Sequence, residues 1–549
     1  MVFDNKITRD FLTTEEIASD LNVSTASVRN WIKAGDLEKI GRNKISFESY
    51  ERFKETVAGK KRLNKRANKS LKDTYDPAVL IEKIESALSE KNPNYERIID
   101  LYIKNISDSY RNKEGIYYTP RATANEFLRT INEREDGLEG KTFLDPCCGS
   151  GEFIISAIEN GVRPCDVYGV ELDPIAFKIA KQRLCREYGV PEKNIINGDF
   201  LSEGTLDEFI QKAGKVDILA TNPPWGKKFR KAEIKGICRQ FNCVMEKESS
   251  ALFFHAARKI VSQGGYIGFL VQDAFFNIAS HRKIRESILS FNVVAFFDFG
   301  KLFSGLLTNA KGFLIQTQPA IQYHQVICKR GEEAWSRQQH NFTSNPQNII
   351  NFTLKGEEGA VIEYIYSLPH TTLAGNAKYG LGIVTGNNKK FIHHRPGESL
   401  MAVYKGSDVT PNGLNKPTNF IPKYLHLYQQ VAPTELYLSP EKLIYKFISN
   451  RLVFCVDRNQ SFILNSANMI IVNDDFPVTH QQICDLLNSN FINWVYQSIF
   501  NTHKVLRSDI EQLPVHTEFF ERNAKFEESE YLKFLGIKEA SDGTYRIKK

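Results

Sequence analysis

The sequence lacks the features that mark several large classes of protein. No stretch approaches the roughly 20 consecutive apolar residues that a membrane-spanning helix needs. The N-terminus has neither the apolar stretch nor the small-residue cleavage site of a secretory signal. Of the nine cysteines, Cys147 and Cys148 are adjacent and the rest are scattered, and no two pairs have the C-x2-C spacing of a zinc site. These absences predict a cytoplasmic protein that has reduced thiols, no metal and no membrane partner.

A nuclease motif is missing too, since we find no clear PD-(D/E)xK pattern and therefore do not predict an endonuclease. What the chain does have is length and an ordinary soluble composition. Its 549 residues, 42% of them hydrophobic, suffice for several domains. The net charge of +7 permits a polyanionic partner without demanding one.

Residues 1–57 contain the pattern of a small DNA-binding unit. Thr13 and Glu16 predict a capped helix start, and a second helix is expected to end at Gly35. A hairpin with basic residues at its tip follows, within residues 37–47. The unit resembles the winged helix-turn-helix of the MerR and excisionase type, which implies that the second helix enters the major groove and the wing contacts phosphates. A compact helical cap that contacts protein is the alternative.

The next segment, residues 58–74, is rich in lysine and arginine and poor in apolar residues. This composition predicts a flexible basic linker. Such a linker either follows the phosphates of a nucleic acid or serves only as a solvated tether, and both interpretations stay open.

Residues 75–330 alternate strand-like and helix-like segments. Each of four short apolar runs ends in a carboxylate or a polar turn; these runs lie at residues 143–145, 167–171, 195–199 and 216–220. Helical stretches of suitable length separate them. The pattern predicts an α/β domain with a mostly parallel, doubly wound sheet that binds its ligands at the carboxyl ends of the strands.

The first of these strands leads into a glycine-containing loop and then a helix. Gly149 and Gly151 allow a ligand to approach the backbone closely, and the following helix N-terminus would lie beside that ligand. Glycine-rich loops are a weak signal alone, and this one lacks both G-x-G-x-x-G and GK[ST]. Glu171 and Asp199 end the next two strands, where they can accept hydrogen bonds from ribose hydroxyls and an adenine amine. Phe200 offers an apolar face to the adenine ring.

The fourth strand is followed directly by Asn222-Pro223-Pro224-Trp225. An exocyclic amine on adenine is a poor nucleophile, because its lone pair is delocalised into the ring. The side-chain oxygen of Asn222 can accept one N–H of such an amine and favour a tetrahedral nitrogen. The two prolines hold this loop in place, and Trp225 can stack on a base that has been flipped out of a duplex.

Together these motifs resemble the Rossmann-like S-adenosylmethionine-dependent methyltransferases, and within them the amino methyltransferases that act on DNA. Residues 115–120 resemble the family's additional motif, which covers the methionine end of the cofactor. The order of this motif, the glycine loop and the catalytic tetrapeptide is the order of the gamma class. The resemblance implies S-adenosyl-L-methionine as cofactor and transfer of its methyl group to N6 of a flipped-out adenine in a specific duplex DNA sequence.

The resemblance also assigns roles to single residues. The second acceptor for the amine would be the carbonyl of Pro223, and Phe303 would pack on the other face of the base, with core packing as the alternative for Phe303. The predicted catalytic residues are Asn222, Pro223, Pro224, Trp225 and Phe303. The predicted cofactor-binding residues are Tyr118, Thr119, Pro120, Asp145, Pro146, Cys148, Gly149, Gly151, Phe153, Glu171, Asp199, Phe200 and Asn222.

Residues 331–549 have short strands, turns and many aromatic and basic residues. Three stretches, 382–391, 442–447 and 486–494, resemble an α+β target-recognition domain with closing helices. Such a domain would read the DNA sequence in cis, and a cognate restriction endonuclease would be a separate chain. The alternatives are the modification subunit of a multisubunit Type I restriction system, N4-cytosine methylation, and methylation of RNA or of a protein glutamine.

Overall fold

A computed structural model gives the fold; it describes residues 11–20, 25–34, 37–41, 43–56, 77–106, 117–243, 248–303, 308–321, 323–500 and 504–548. The predicted linker 58–74, the helix end at Gly35, and Gly115 and Ile116 of the upstream motif lie outside these residues. The chain forms two compact units, Met1–Ile116 and Tyr117–Lys549. In the described ranges, no helix has both the length and the apolar character needed to cross a membrane.

In the described part of the first unit, three short strands and three helices are followed by a pair of longer helices. In chain order these are β1 (Phe11–Leu12), α1 (Thr14–Asp20), α2 (Thr25–Ala34), β2 (Lys39–Gly41), β3 (Lys44–Ser46), α3 (Phe47–Thr56), α4 (Pro77–Leu88) and α5 (Tyr95–Asn105). The strands form an antiparallel sheet in the order β1-β3-β2. Thr13 and Glu16 make the reciprocal bonds of a capping box, as predicted. The small hydrophobic core between these strands and helices contains Ile17, Val28 and Ile45.

The second unit is built around a nine-stranded sheet. Its strands are β4 (Phe143–Asp145), β5 (Val167–Glu171), β6 (Ile195–Asn197), β7 (Val216–Thr221), β8 (Val261–Gln272), β9 (Phe291–Gly300), β10 (Ala310–Pro319), β11 (Gln325–Arg330) and β12 (Glu333–Gln338). Their order is β12-β11-β9-β10-β8-β7-β4-β5-β6. Strands β4 to β8 are parallel, whereas β10 is antiparallel to both of its neighbours. The predicted α/β sheet is confirmed, and the β11–β12 hairpin extends it past residue 330.

Helices cover both faces of this sheet. They are α6 (Arg121–Glu135), α7 (Glu152–Glu159), α8 (Pro174–Tyr188), α9 (Glu203–Ala213), α10 (Lys231–Phe241), α11 (Ser249–Ile260), α12 (Ala274–Asn277) and α13 (Arg282–Leu289). Consecutive strand residues alternate between two hydrophobic cores: Leu144 and Leu219 face one core, whereas Phe143 and Ile218 face the other. The strands are therefore apolar on both sides, as buried parallel strands must be.

The order in which the chain adds strands to the sheet reverses at β4. From β4 the chain continues outward through β5 and β6, and it then returns to the other side of β4 as β7. The loops after β4 and β7 consequently open a crevice at the carboxyl edge of the sheet, which is where α/β folds bind ligands. This topology brings the glycine loop beside Asn222.

The C-terminal part has mixed secondary structure. Its helices are α14 (His340–Ser344), α15 (Gly356–Ser367), α16 (Asn388–Phe391), α17 (Thr434–Tyr437), α18 (His480–Asn488), α19 (Asn490–Ile499), α20 (Arg507–Ile510), α21 (Thr517–Arg522) and α22 (Glu528–Phe534). Its strands are β13 (Ala377–Leu381), β14 (Leu400–Tyr404), β15 (Val409–Thr410), β16 (Gly413–Leu414), β17 (Asn419–Pro422), β18 (Lys442–Lys446), β19 (Phe454–Asp457), β20 (Phe462–Ile463), β21 (Ala467–Val472), β22 (Ile537–Glu539) and β23 (Tyr545–Ile547). The main sheet has the order β13-β21-β18-β19, and β17-β14-β20 form a second one. This is the predicted α+β composition.

A fully buried arginine links the nine-stranded sheet to the C-terminal part. Arg285 on α13 donates to the carbonyls of Phe275 and Ile278, and also to those of Gln347 and Asn348, which lie between α14 and α15. Burial lowers the pKa of Arg285 to about 10. The guanidinium gives four backbone carbonyls a charged donor at this junction, and a hydrogen bond to a charged group contributes about 1.5–3 kcal/mol.

Candidate active site

The glycine loop after β4 has a backbone that only glycine adopts without strain at two positions. Gly149 has φ of 51° and Gly151 has φ of 93°, both in the left-handed region. A Cβ atom on Gly149 would lie 3.4 Å from the ring of Tyr118, and one on Gly151 would lie 3.1 Å from Leu184. Tyr118 of the upstream motif therefore packs directly on the loop.

Three carboxylates lie at the ends of β4, β5 and β6, beside this loop. One oxygen of Glu171 accepts the N–H of Gly149 at 2.8 Å, and the other accepts the N–H of Asp173 at 2.8 Å. Burial raises the pKa of Glu171, although these two N–H groups act in the opposite direction. Asp199 is exposed, and its carboxylate accepts the N–H of Leu201.

Asp145 is the most deeply buried of the three. Its Oδ1 accepts the Cys147 N–H at 3.0 Å and the Thr221 hydroxyl at 2.7 Å. Burial raises the pKa of the Asp145 carboxyl to about 7, and the Glu171 carboxylate adds to the increase. The hydroxyl of Thr221 opposes it. A carboxyl with this pKa changes its charge near neutral pH.

Asn222 follows β7 and has an unusual distribution of hydrogen bonds. Its Nδ2 donates to the carbonyl of Tyr117 at 2.9 Å. Its Oδ1 is buried and has no hydrogen-bond partner within the described part of the chain. A buried acceptor without a donor costs about 1–3 kcal/mol, and this atom is available to a donor on a ligand that enters the crevice.

Three aromatic rings, those of Tyr117, Trp225 and Phe303, form a cluster next to the Asn222 loop. Trp225 is 3% exposed, and its Nε1 donates to the carbonyl of Leu270 at 3.3 Å. The ring centroid of Phe303 lies 5.1 Å from that of Trp225, with an interplanar angle of 82°. The ring of Tyr117 lies 5.9 Å from Trp225 and 5.4 Å from Phe303. A base held between two parallel rings needs about 7 Å between them, so Trp225 and Phe303 must separate before they can enclose one.

The other predicted cofactor-binding residues differ in how exposed they are. Thr119 is buried, and Pro120 is the exposed N-cap residue of α6. Pro146 and Cys148 are buried in the loop, and Phe153 packs on Phe127 in the core.

Phe200 differs most from its predicted role. It is 1% exposed and stacks on Phe253, so its ring belongs to the core. Leu172, next to Glu171, is 50% exposed and offers an apolar surface at the crevice instead.

Sequence reasoning missed three residues that the fold brings to this site. They are Tyr117, which orients the Asn222 amide; Thr221, which bonds Asp145; and Ser249, whose hydroxyl donates to the Pro224 carbonyl. Tyr117 could have been found, because it lies inside the upstream motif. The bonds of Thr221 and Ser249 depend on tertiary pairing, and no local pattern indicates them.

Comparison with known proteins identifies the family. The Type II methyltransferase M.VspI of Vibrio sp. (strain 343) is 44% identical over 402 residues, which are 73% of this chain and 97% of the relative. The chain belongs to the N-6 DNA methylase family. The family profile, N-6 DNA Methylase, matches residues 94–304 of the methylase, and a second profile, the TaqI-like C-terminal specificity domain, matches residues 401–515. The methylase is thus a DNA methyltransferase of the kind found in restriction-modification systems.

Two more distant proteins resemble the methylase. Modification methylase CviBIII of Paramecium bursaria Chlorella virus NC1A is 26% identical over 244 residues, which are 43% of this chain and 59% of the relative. The Type IIL restriction-modification enzyme MmeI, solved in complex with DNA, matches with a TM-score of 0.52 and 12% identity over 76% of this chain and 70% of that one. At this identity the likeness to MmeI shows the fold alone.

Proposed function

We propose that the methylase transfers the methyl group of S-adenosyl-L-methionine to N6 of an adenine flipped out of a specific duplex DNA sequence, as a gamma-class enzyme. The observation that carries this proposal is the buried, unpartnered Oδ1 of Asn222. Since that atom is an acceptor, it suits an N–H donor such as the adenine amine.

The residues around the glycine loop fit this cofactor. Gly149 and Gly151 let the loop take the left-handed backbone that brings it beside the carboxylates of Asp145 and Glu171, and these carboxylates are suited to a cationic, hydroxyl-rich molecule. When bound, the cofactor supplies an activated methyl group on its sulfonium. An ionised carboxylate has about four acceptor positions, so Glu171 retains capacity for ribose hydroxyls beside its two backbone N–H bonds. The exposed Leu172 takes the place proposed for Phe200 against the adenine ring.

The chain's own contribution to the reaction is alignment. Asn222 Oδ1 and the carbonyl of Pro223 accept the two N–H bonds of the target amine, which turns its lone pair toward the methyl carbon. Both acceptors are held before the base arrives, Asn222 by its bond to the Tyr117 carbonyl and Pro223 by its ring. Trp225 and Phe303 contact the two faces of the base. Because the methyl donor is already activated, alignment of the amine with the methyl group supplies most of the expected acceleration of methyl transfer.

We assign recognition of the DNA sequence to the C-terminal part of the same chain. The match to a specificity domain at residues 401–515 supports this assignment over the Type I alternative. Exposed basic side chains near that domain suit contacts to phosphates; they are Lys389, Lys390, Arg395, Lys416 and Lys423. A cognate restriction endonuclease would then be a separate chain.

The proposal is tested with the purified chain, methyl-labelled cofactor and duplex DNA. We expect label in the DNA without any added polypeptide. Label that appears only after a second polypeptide is added would support the Type I alternative. Label found in RNA or protein but not in DNA would contradict the DNA substrate.

We further propose that residues 11–56 form a winged helix-turn-helix that binds DNA. Helices α1 and α2 followed by the β2–β3 hairpin support the assignment. Arg29 on α2 and Lys39 and Lys44 on the hairpin are exposed. Residues 21–24, which precede α2, and Arg42, between β2 and β3, lie outside the described residues.

Neutralising the exposed cations of this unit should weaken DNA binding by the full chain. We expect Arg29→Gln with Lys39→Gln to lower affinity and to reduce the slope of log K against log salt by about one for each lost phosphate contact. Fluorescence anisotropy over a salt series measures both. Lys91→Gln lies outside residues 11–56, at an exposed bend elsewhere in the compact unit Met1–Ile116; it is the control and should leave the slope unchanged. An unchanged slope in the double variant would argue for the protein-contact alternative.

A further inference from the structure

Thr221 is the last residue of β7 and has a completely buried side chain. Its hydroxyl donates to Asp145 Oδ1 at 2.7 Å, across 76 residues of sequence. The same oxygen accepts the backbone N–H of Cys147, the second residue of the glycine loop. One carboxylate oxygen therefore joins the loop after β4 to the end of β7.

The next residue along the chain is Asn222, whose amide is fixed at its other side by the carbonyl of Tyr117. Tyr118 in turn packs over Gly149. The three segments that contribute to the site, at residues 117–119, 145–151 and 221–225, are consequently connected in one closed network. Thr221 provides the link between the carboxylate of the cofactor loop and the backbone that carries Asn222.

We propose that Thr221 is a positioning residue, whose hydroxyl couples the cofactor loop to Asn222 and thereby sets both the affinity for the cofactor and the placement of the amine acceptor. This inference rests on the proposed function, since it assumes that the glycine loop binds S-adenosyl-L-methionine. The inference goes beyond the proposed function because it assigns a role to a side chain outside the Asn-Pro-Pro-Trp tetrapeptide.

The electrostatics of the site give this hydroxyl a second effect. Burial raises the pKa of Asp145 to about 7, and the Thr221 hydroxyl acts against that rise. The other titratable groups close to Asp145 are the carboxyl of Glu171, which raises its pKa, and the thiols of Cys147 and Cys148, whose own pKa values are well above their ordinary range because they are buried. Asp199 acts on the same loop through Cys147. Loss of the hydroxyl raises the pKa of Asp145, so that less of the carboxylate is ionised at neutral pH to attract a cationic ligand.

The test compares two substitutions at this position. Thr221→Val has nearly the same shape and lacks the donor, whereas Thr221→Ser keeps it. A matched control exists at the opposite edge of the sheet, where Thr142 donates to Asp217 at 2.9 Å. Thr142→Val removes an equivalent bond far from the crevice. Binding of S-adenosyl-L-methionine is measured by isothermal titration calorimetry between pH 6 and 8, and methyl transfer by single-turnover kinetics.

In the wild type we expect cofactor affinity to increase as the pH rises through about 7, because Asp145 becomes ionised. Thr221→Val should weaken binding about tenfold at pH 7.5, as expected for loss of a hydrogen bond to a charged group, and should move the pH midpoint upward. Thr221→Ser keeps the hydrogen bond, and Thr142→Val removes one that lies far from the crevice. The cofactor affinity of both variants should therefore stay within about twofold of the wild-type affinity.

Two results would overturn the inference. One is a Thr221→Val variant with the affinity and pH midpoint of the wild type; the other is a Thr221→Ser variant as impaired as Thr221→Val. If Thr221→Val does not fold, Thr221→Ala takes its place, and the wild-type affinity and pH midpoint in that variant overturn the inference in the same way. Failure of the proposed function looks different, because the wild type itself would then bind no S-adenosyl-L-methionine.

Discussion

Asn222→Ala should reduce methyl transfer about 100- to 1,000-fold while leaving cofactor affinity within about twofold, since removal of one preorganised hydrogen-bonding group from an active site costs this much. The Oδ1 atom is the acceptor that the site leaves unpartnered, and alanine removes it. The cofactor loop is held by Asp145 and Glu171 instead, so it keeps its shape. Single-turnover transfer to duplex DNA and calorimetric titration with cofactor measure the two quantities separately.

The control for this variant is Asn92→Ala, which makes the same change at an exposed turn in the other compact unit. It should transfer methyl groups at the wild-type rate. Removal of one preorganised hydrogen-bonding group usually lowers the rate of an enzyme about 100-fold or more. If Asn222→Ala retained more than about a tenth of the wild-type activity, activation of the amine would not depend on this acceptor. A parallel loss of cofactor binding would instead assign Asn222 to the cofactor site.

The largest expected loss of stability comes from a buried ion pair in the C-terminal part. Lys442 on β18 is 0% exposed and lies 2.6 Å from Asp457 on β19, which is 1% exposed. Lys442 also donates to the carbonyl of Tyr437, and Asp457 accepts two bonds from Ser461. Lys442→Met leaves a buried carboxylate without its cation, which should lower the free energy of unfolding by about 3–5 kcal/mol.

Hydrogen exchange of the β18 and β19 amides measures this effect locally, because a chain with several cores need not unfold in one step. A second change, Asp457→Asn, removes the unpaired charge, keeps one oxygen to accept the Ser461 N–H, and offers an amide N–H that can donate to the Ser461 hydroxyl. The double variant should therefore recover part of the loss. The exposed pair Lys212–Glu208 on α9 is the comparison, and Lys212→Met should cost less than about 0.5 kcal/mol. If Lys442→Met and Lys212→Met lowered the free energy of unfolding equally, burial would not be what makes the Lys442–Asp457 pair important for stability.

The parts of the site that follow from local sequence could be predicted. Asp145, Glu171 and Asn222 each lie just beyond a short apolar run, and parallel strands bring their carboxyl ends to one edge. The capping box at Thr13 is likewise a pattern within one turn of helix. In these cases the residues that make the structure are neighbours in the sequence.

Contacts between distant segments could not be predicted. The bond from Thr221 to Asp145 depends on the pairing of β7 with β4, and the bond from Asn222 to Tyr117 spans 105 residues. The role expected for Phe200 illustrates the same difficulty, because an aromatic residue at a strand end can turn toward a ligand or toward the core. Here Phe253 on α11 supplies a stacking partner on the core side. The continuation of the sheet through β12 also escaped prediction, since it depends on pairing with β11.

The identity of the methylated base is the most direct test of the central claim that Asn222 presents an acceptor to an adenine amine. Duplex DNA methylated by the wild-type chain with labelled cofactor is digested to nucleosides and resolved by mass spectrometry. We predict that the label resides in N6-methyladenine and that Asn222→Ala yields almost none. Label in N4-methylcytosine would contradict the assignment of adenine, and undiminished label from Asn222→Ala would contradict the mechanism.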